Sequence, residues 1–431
     1  MLGQASIPFV GIVDATIIGR TGDAAALAGV ALGATIISLV FWSFGFLRMG
    51  MTGLTAQAQG KGDPREVEAL LLRGLLIGGG IGLVLLCLRI PLTTLALALL
   101  SGGADVSAEA SGYVSARFFG APAALATFAI TGWLYGLGQT RAALVMQLVM
   151  NAANVGFDLL LVWGFGMGAT GVGIGTAGAE WIALLVGLAI TARIARGGPL
   201  ALWRRLGRAA VIEGAALRRL LAVNVDIMFR TIALLFMFTW FANAGARLGA
   251  ESLAANHVLL QFINVAAFVL DAFAFTAEER VGSALGERNR ERFLRAIRLT
   301  GEFSFLCGIL LALSFWLGGE ALIRFIATDP GVRIEAVRFL PFAALVPLLG
   351  MPSWMLDGIF IGATRVRALR NAAVIATLAY IALDYILRPL ENWGVWIAFL
   401  GAYLLRAGAL GLHVPSLLRD ISSGHHTDRG S

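Results

Sequence analysis

A chain of 431 residues that is 58% hydrophobic and 14% charged, with a mean hydropathy of +0.82, is no ordinary soluble domain. Its formal charge of +7 invites a nucleic-acid partner, yet the basic residues form no single patch and punctuate alternate loops, which excludes that partner. The chain reads instead as an all-α polytopic membrane protein, because its apolar runs are too long and too uniform for alternating barrel strands.

About 20 apolar residues cross a bilayer, so the runs can be counted as helices. The first, 2–18, is barely long enough, lacks a basic leader, and carries Asp14 where a cleavage site would need small residues, so it is not read as a signal peptide. Runs 27–50, 67–99, 112–137, 142–163 and 172–194 complete a first six. A second six follows at 220–241, 253–277, 293–317, 335–361, 368–387 and 393–412. The expected division is an N-terminal lobe 1–196, a cytoplasmic linker 197–217, a C-terminal lobe 218–414 and a disordered cytoplasmic tail 415–431. Within the linker, Trp203 and Leu206 among Arg204, Arg205 and Arg208 fit either a short interfacial helix or a solvated basic connector. Cys87 and Cys307 sit in apolar runs and read as small core residues.

Lys61, Arg65, Arg141, the arginines from Arg193 to Arg219, the cluster Arg280 to Arg298, and Arg365, Arg367 and Arg370 all follow even-numbered spans. Both termini are therefore expected in the cytoplasm. The spans themselves look nearly free of Arg and Lys at mid-depth.

The two sixes resemble each other. Arg20-Thr-Gly22, Leu27-Ala28-Gly29 and Gln59-Gly60-Lys61-Gly62-Asp63 recur as Arg247-Leu-Gly249, Leu253-Ala254-Ala255 and Leu285-Gly286-Glu287-Arg288-Asn289, 226 or 227 residues on. Gly138-Gln-Thr140-Arg141 recurs as Gly362-Ala-Thr364-Arg365 at 224. An even number of spans per repeat sets both halves the same way up, with a pseudo-two-fold axis along the membrane normal. In that alignment position 14 falls on Trp240 or Phe241, 158 on Ala382 and 271 on Gly45, so the acids are not repeated.

The fifth span, 146–163, carries Gln147, Asn151, Asn154 and Asp158 at spacings of four, three and four, a single stripe on a helix. A carboxylate at membrane depth belongs in a protein interior or wet cavity, where it can hold a proton, a cation or substrate. Asn154, one turn from Asp158, is placed to orient it; were the coupling ion sodium, Asp158 and Asn154 would supply the oxygens. The eighth span has its own stripe, His257, Gln261, Asn264 and Asp271, which reads as lining the second lobe with Asp271 as a cation or substrate contact. Trp42 offers an aromatic face to a greasy cation. Asp357 and Asp384 read as solvated near an interface, and no His or Cys cluster has metal-ligand spacing.

The chain resembles the multidrug and toxic compound extrusion (MATE) family, in particular its bacterial DNA-damage-inducible F branch. The matching stretches are Val13 to Arg20, Asn151 to Asp158, Gly164 to Gly173, Leu270 to Phe273 and Asp357 to Arg365. The resemblance implies a monomeric inner-membrane antiporter, not an enzyme, that exports small amphipathic or cationic compounds. It needs no cofactor beyond the exchanged proton or sodium. It also implies that Asp14 and Asp158 share the cavity of the first lobe and couple the ion; Gln147, Asn151, Gln261, Asn264, Asp271 and Trp42, read from the stripes and the aromatic residues themselves, are the candidates for substrate contact. The rivals are a sodium-coupled antiporter of the same fold and a flippase of lipid-linked precursors, which would need a strongly basic cavity. The family's first helix is longer than the thirteen residues that precede Asp14 here.

Overall fold

The computed structural model describes residues 14, 16–21, 23–100 and 103–423. Among them every regular element is a helix: α1 Ala24–Ser43, α2 Phe46–Gly60, α3 Pro64–Cys87, α4 Arg89–Leu99, α5 Ala104–Phe118, α6 Ala121–Gly136, α7 Thr140–Asp158, α8 Gly168–Ile194, α9 Pro199–Val211, α10 Gly214–Arg247, α11 Ala250–Gly286, α12 Arg290–Ile326, α13 Pro330–Gly362, α14 Val366–Leu387, α15 Glu391–Gly411 and α16 Val414–Ser423. Residues 14 and 16–19 are also helical. Nine stretches among these are long and apolar enough to cross a membrane, and the bent pair α5–α6 makes a tenth. The last of them, 366–419, contains both α14 and α15, which counted separately raise the number to eleven among the described residues; the first run, 2–18, lies mostly outside them.

The helix boundaries repeat every 226 residues. Helices begin at Ala24 and Ala250, Pro64 and Arg290, Ala104 and Pro330, and Thr140 and Val366; they end at Gly60 and Gly286, and at Gly136 and Gly362. Asp63 and Asn289 each cap the following helix through a side-chain oxygen. The left-handed turn positions coincide too: Gly62 with Arg288, and Gly138 with Thr364. The 224-residue spacing read from Gly138 and Gly362 therefore slips by two residues. Position 158 corresponds to Asp384, not Ala382, and position 14 to Trp240.

The halves differ in continuity. Runs read as single spans in the first half break at Phe44–Gly45, at Leu88 and at Phe119–Gly120, where α5 and α6 meet at 53°. Gly45, Pro91 and Pro122 at or just after these breaks interrupt the helical hydrogen-bond ladder. Their counterparts α11, α12 and α13 run unbroken.

The chain forms two compact units: residues 1–55 with 63–224, and 56–62 with 225–431. In the first, α3 packs on α6, α1 on α5, and α8 on α5, α6 and α7. In the second, α13 packs on α11, α12 and α15, and α14 on α15. Gly358 and Gly362 of α13 lie against the backbone of Ala274 and Glu278 of α11 with no room for a Cβ, the close approach that small residues permit between membrane helices.

The linker helix α9 is seated on α3. Arg73, within an apolar span and buried, donates to the carbonyls of Ala210 (2.6 Å) and Val211 (3.1 Å) and to Glu66 (2.7 Å), while Arg205 pairs with Glu68. Two expectations are corrected at other places. The chain is helical through Ser423, so the tail read as disordered begins as a helix. Cys87 is exposed and Cys307 half-exposed, so neither is a core residue.

Candidate functional site

Asp158 ends α7, where the backbone widens into a single π segment, Leu159–Gly164. Such insertions re-aim side chains and often mark functional positions. Within the segment, the Trp163 indole donates to the Ile17 carbonyl at 3.1 Å, which ties the turn to the first helix and brings Asp14 beside Asp158. The two carboxyls lie within hydrogen-bonding reach of each other. Both are buried, 6% and 0% exposed, and one oxygen of each has no donor among the described residues. Two buried carboxylates side by side repel, and a proton or cation relieves the repulsion.

Asn154 is 1% exposed and orients the pair. Its amide donates to Asp158 Oδ2 at 3.3 Å and to the Thr176 hydroxyl on α8 at 3.0 Å, and that hydroxyl donates to Val172 O. A Cβ at Gly175 would collide with the Asp158 carboxylate, so α8 approaches this closely only with glycine there. Higher on the stripe, Gln147 donates to Asn151 at 2.9 Å. The four polar residues thus resolve into two bonded pairs.

Sequence reasoning missed the groups behind the pair. Arg117 of α5 forms an ion pair with Glu180 of α8 at 2.9 Å. Tyr113, one turn before Arg117, makes a side-chain hydrogen bond with it. Arg117, Glu180 and Tyr113 are all buried. An acid and a guanidinium inside apolar runs were the available signal.

In the second unit, Asp384 occupies the place of Asp158. It is buried and accepts from Trp240 (3.0 Å) and Arg247 (2.7 Å). Asp357, also buried, is clamped by Arg230 of α10 and Arg406 of α15. The expectation that Asp357 and Asp384 are solvated is thus overturned, because each has a buried or half-buried cation to neutralise it. Against the expectation of spans nearly free of Arg and Lys at mid-depth, four arginines within the apolar runs, Arg73, Arg117, Arg230 and Arg406, are buried. The residues assigned to substrate are more scattered. Trp42, Gln261 and Asn264 are exposed, and Asp271 is half-buried. Asp271 and Asp357 are close enough to Tyr403 to act on it electrostatically.

Two repeated six-span halves with interacting acids inside one of them define a multi-pass helical membrane transporter. The model of the MatE family matches twice, at residues 1–160 and 227–386, again 226 apart. DNA damage-inducible protein F of Escherichia coli (strain K12) is 34% identical over 417 residues, 95% of this chain and 88% of that protein. A probable multidrug resistance protein NorM of Aromatoleum aromaticum is 29% identical over 343 residues, 76% of this chain and 70% of that protein. Among solved structures, a crystal structure of MATE in the bent conformation superposes with a TM-score of 0.89 over 99% of this chain and 95% of that one, at 16% identity. The chain belongs to the MATE family of transporters.

Proposed function

We propose that this chain exports small amphipathic or cationic compounds across a bacterial inner membrane in exchange for protons. It works as a monomer with both termini in the cytoplasm, and Asp14 and Asp158 are its coupling pair. The observation that carries this reading is the pair itself: two buried carboxyls side by side, each with an oxygen that has no donor among the described residues. Asn154 orients Asp158. The arginine-rich even-numbered loops support the orientation. Against a flippase of lipid-linked precursors, the four buried arginines are engaged by acids or carbonyls rather than left to meet a polyanion.

A proton drives transport only by favouring one conformation over the other. Protonation of the pair from outside removes its repulsion and releases substrate; loss of the proton to the cytoplasm resets the site. The test is ethidium transport into proteoliposomes driven by a pH gradient in sodium-free buffer, for the unmodified chain and Asp158→Asn. Transport abolished by the substitution is the expected result. Transport that needs sodium replaces the proton, and an unaffected variant removes Asp158 from coupling.

A further inference from the structure

The Arg117–Glu180 pair is in neither the polar stripe nor the acid pair, yet it is built into their wall. Arg117 reaches Glu180 through one nitrogen at 2.9 Å and lies over the Phe41 ring, 5.4 Å from its centroid. Its charge acts on both Asp14 and Asp158. Glu180 is 6% exposed, and its second oxygen is buried with no donor among the described residues. That oxygen abuts Gly120, at the break between α5 and α6, where a Cβ would collide with it.

The groups around this centre are few. The first helix brings Asp14, α5 brings Tyr113 and Arg117, α7 brings Asn154 and Asp158, and α8 brings Thr176 and Glu180. The sequences of α1 and α6 contain no charged residue. Among the described residues, a single guanidinium therefore acts on three carboxyls, those of Asp14, Asp158 and Glu180. Were it to turn fully onto the Asp14/Asp158 pair, it would hold both acids ionised, and the pair would no longer take up a proton under ordinary conditions.

We propose that Arg117 and Glu180 are positioning residues of the coupling site: Glu180 holds the Arg117 guanidinium off the Asp14/Asp158 pair, and so leaves that pair free to exchange a proton. This rests on the proton-coupled reading above. The site is thus a four-charge device in which an interhelix ion pair between α5 and α8 sets the charge felt by the acids of the first helix and α7.

The experiment is the pH profile of gradient-driven ethidium transport by the full chain in proteoliposomes, for the unmodified protein, Glu180→Gln, Arg117→Gln and the double variant. In Glu180→Gln the guanidinium acts unopposed on the acids, so the pH of half-maximal transport falls by about one to two units. Arg117→Gln removes the positive charge, so it rises by a similar amount. The double variant removes equal and opposite charges, so it returns close to the unmodified profile. Glu180→Asp, which keeps the charge, also keeps the profile. Monodisperse elution in detergent identifies the folded variants, and if Arg117→Gln does not fold, the other three decide the matter. An unchanged profile in folded Glu180→Gln, or a double variant that stays as displaced as the single one, reduces the pair to helix packing and overturns the proposal alone. If the unmodified chain shows no proton-driven transport, the coupling reading falls and takes this proposal with it.

Discussion

Asp158 and Asp384 stand 226 residues apart at matching places in α7 and α14, and they have opposite partners. Asp158 lies beside a second acid, Asp14. Asp384 accepts from Trp240, the counterpart of position 14, and from Arg247. One fold position is thus charge-compensated in the second half and set beside another acid in the first. Asp384→Asn should therefore act on stability: it strands Arg247, which is about one-third exposed, at a cost of about 1–3 kcal/mol. The check is the thermal midpoint of the purified variant, expected to fall, beside the pH dependence of its residual transport, expected to keep its shape.

A larger loss is expected at Asp357. Arg230 and Arg406 both donate to the same Asp357 oxygen and are themselves buried. Asp357→Asn leaves two guanidiniums without their shared anion, which costs about 3–5 kcal/mol. Replacing Arg230 alone leaves Asp357 paired with Arg406 and should cost less. Thermal unfolding of the two variants side by side orders them, and an Arg230→Gln protein less stable than Asp357→Asn would contradict the clamp.

Much of this was legible in the sequence, and the rest fails for physical reasons. Span count, two-fold repetition and the Asn154–Asp158 pair follow from apolar length and helical spacing, which are local. The sequence repeat drifts between 224 and 227 because loop residues align poorly, whereas caps and turn positions fix it at 226. Which acids are compensated depends on partners far along the chain: Arg247 with Asp384, Arg406 with Asp357, Arg117 with Glu180. A carboxylate looks alike in sequence whether it faces an arginine or another acid. The π segment after Asp158 is similarly silent, since Leu159–Gly164 is as apolar as any α-helical stretch.

The close contact of α13 with α11 gives a packing prediction. A side chain at Gly358 would meet the Ala274 backbone, which cannot move aside as a flexible side chain would. Gly358→Val should therefore destabilise by about 1–3 kcal/mol through overpacking, read as a lower thermal midpoint. Gly301→Ala, inside α12 where a Cβ meets nothing within 4 Å, is the control and should not lower it, since alanine is the better helix former.

Asn154 provides the finest test of the site. Its amide divides between Asp158 and Thr176, so it fixes the direction of the carboxylate without carrying charge. Asn154→Ala removes one hydrogen bond to the acid, worth about 1.5–3 kcal/mol because the acceptor is charged. It leaves the Asp14/Asp158 pair and Arg117 in place. Gradient-driven ethidium transport is expected to slow by about tenfold or more while still requiring the pH gradient, and Asn154→Gln, whose longer amide still reaches an oxygen, should recover part of it. Asp158→Asn, by contrast, is expected to abolish gradient-driven transport altogether. If Asn154→Ala behaves like Asp158→Asn, the amide is part of the ion-binding group; if it transports at the unmodified rate, the bond it makes to Asp158 has no role in aiming the carboxylate.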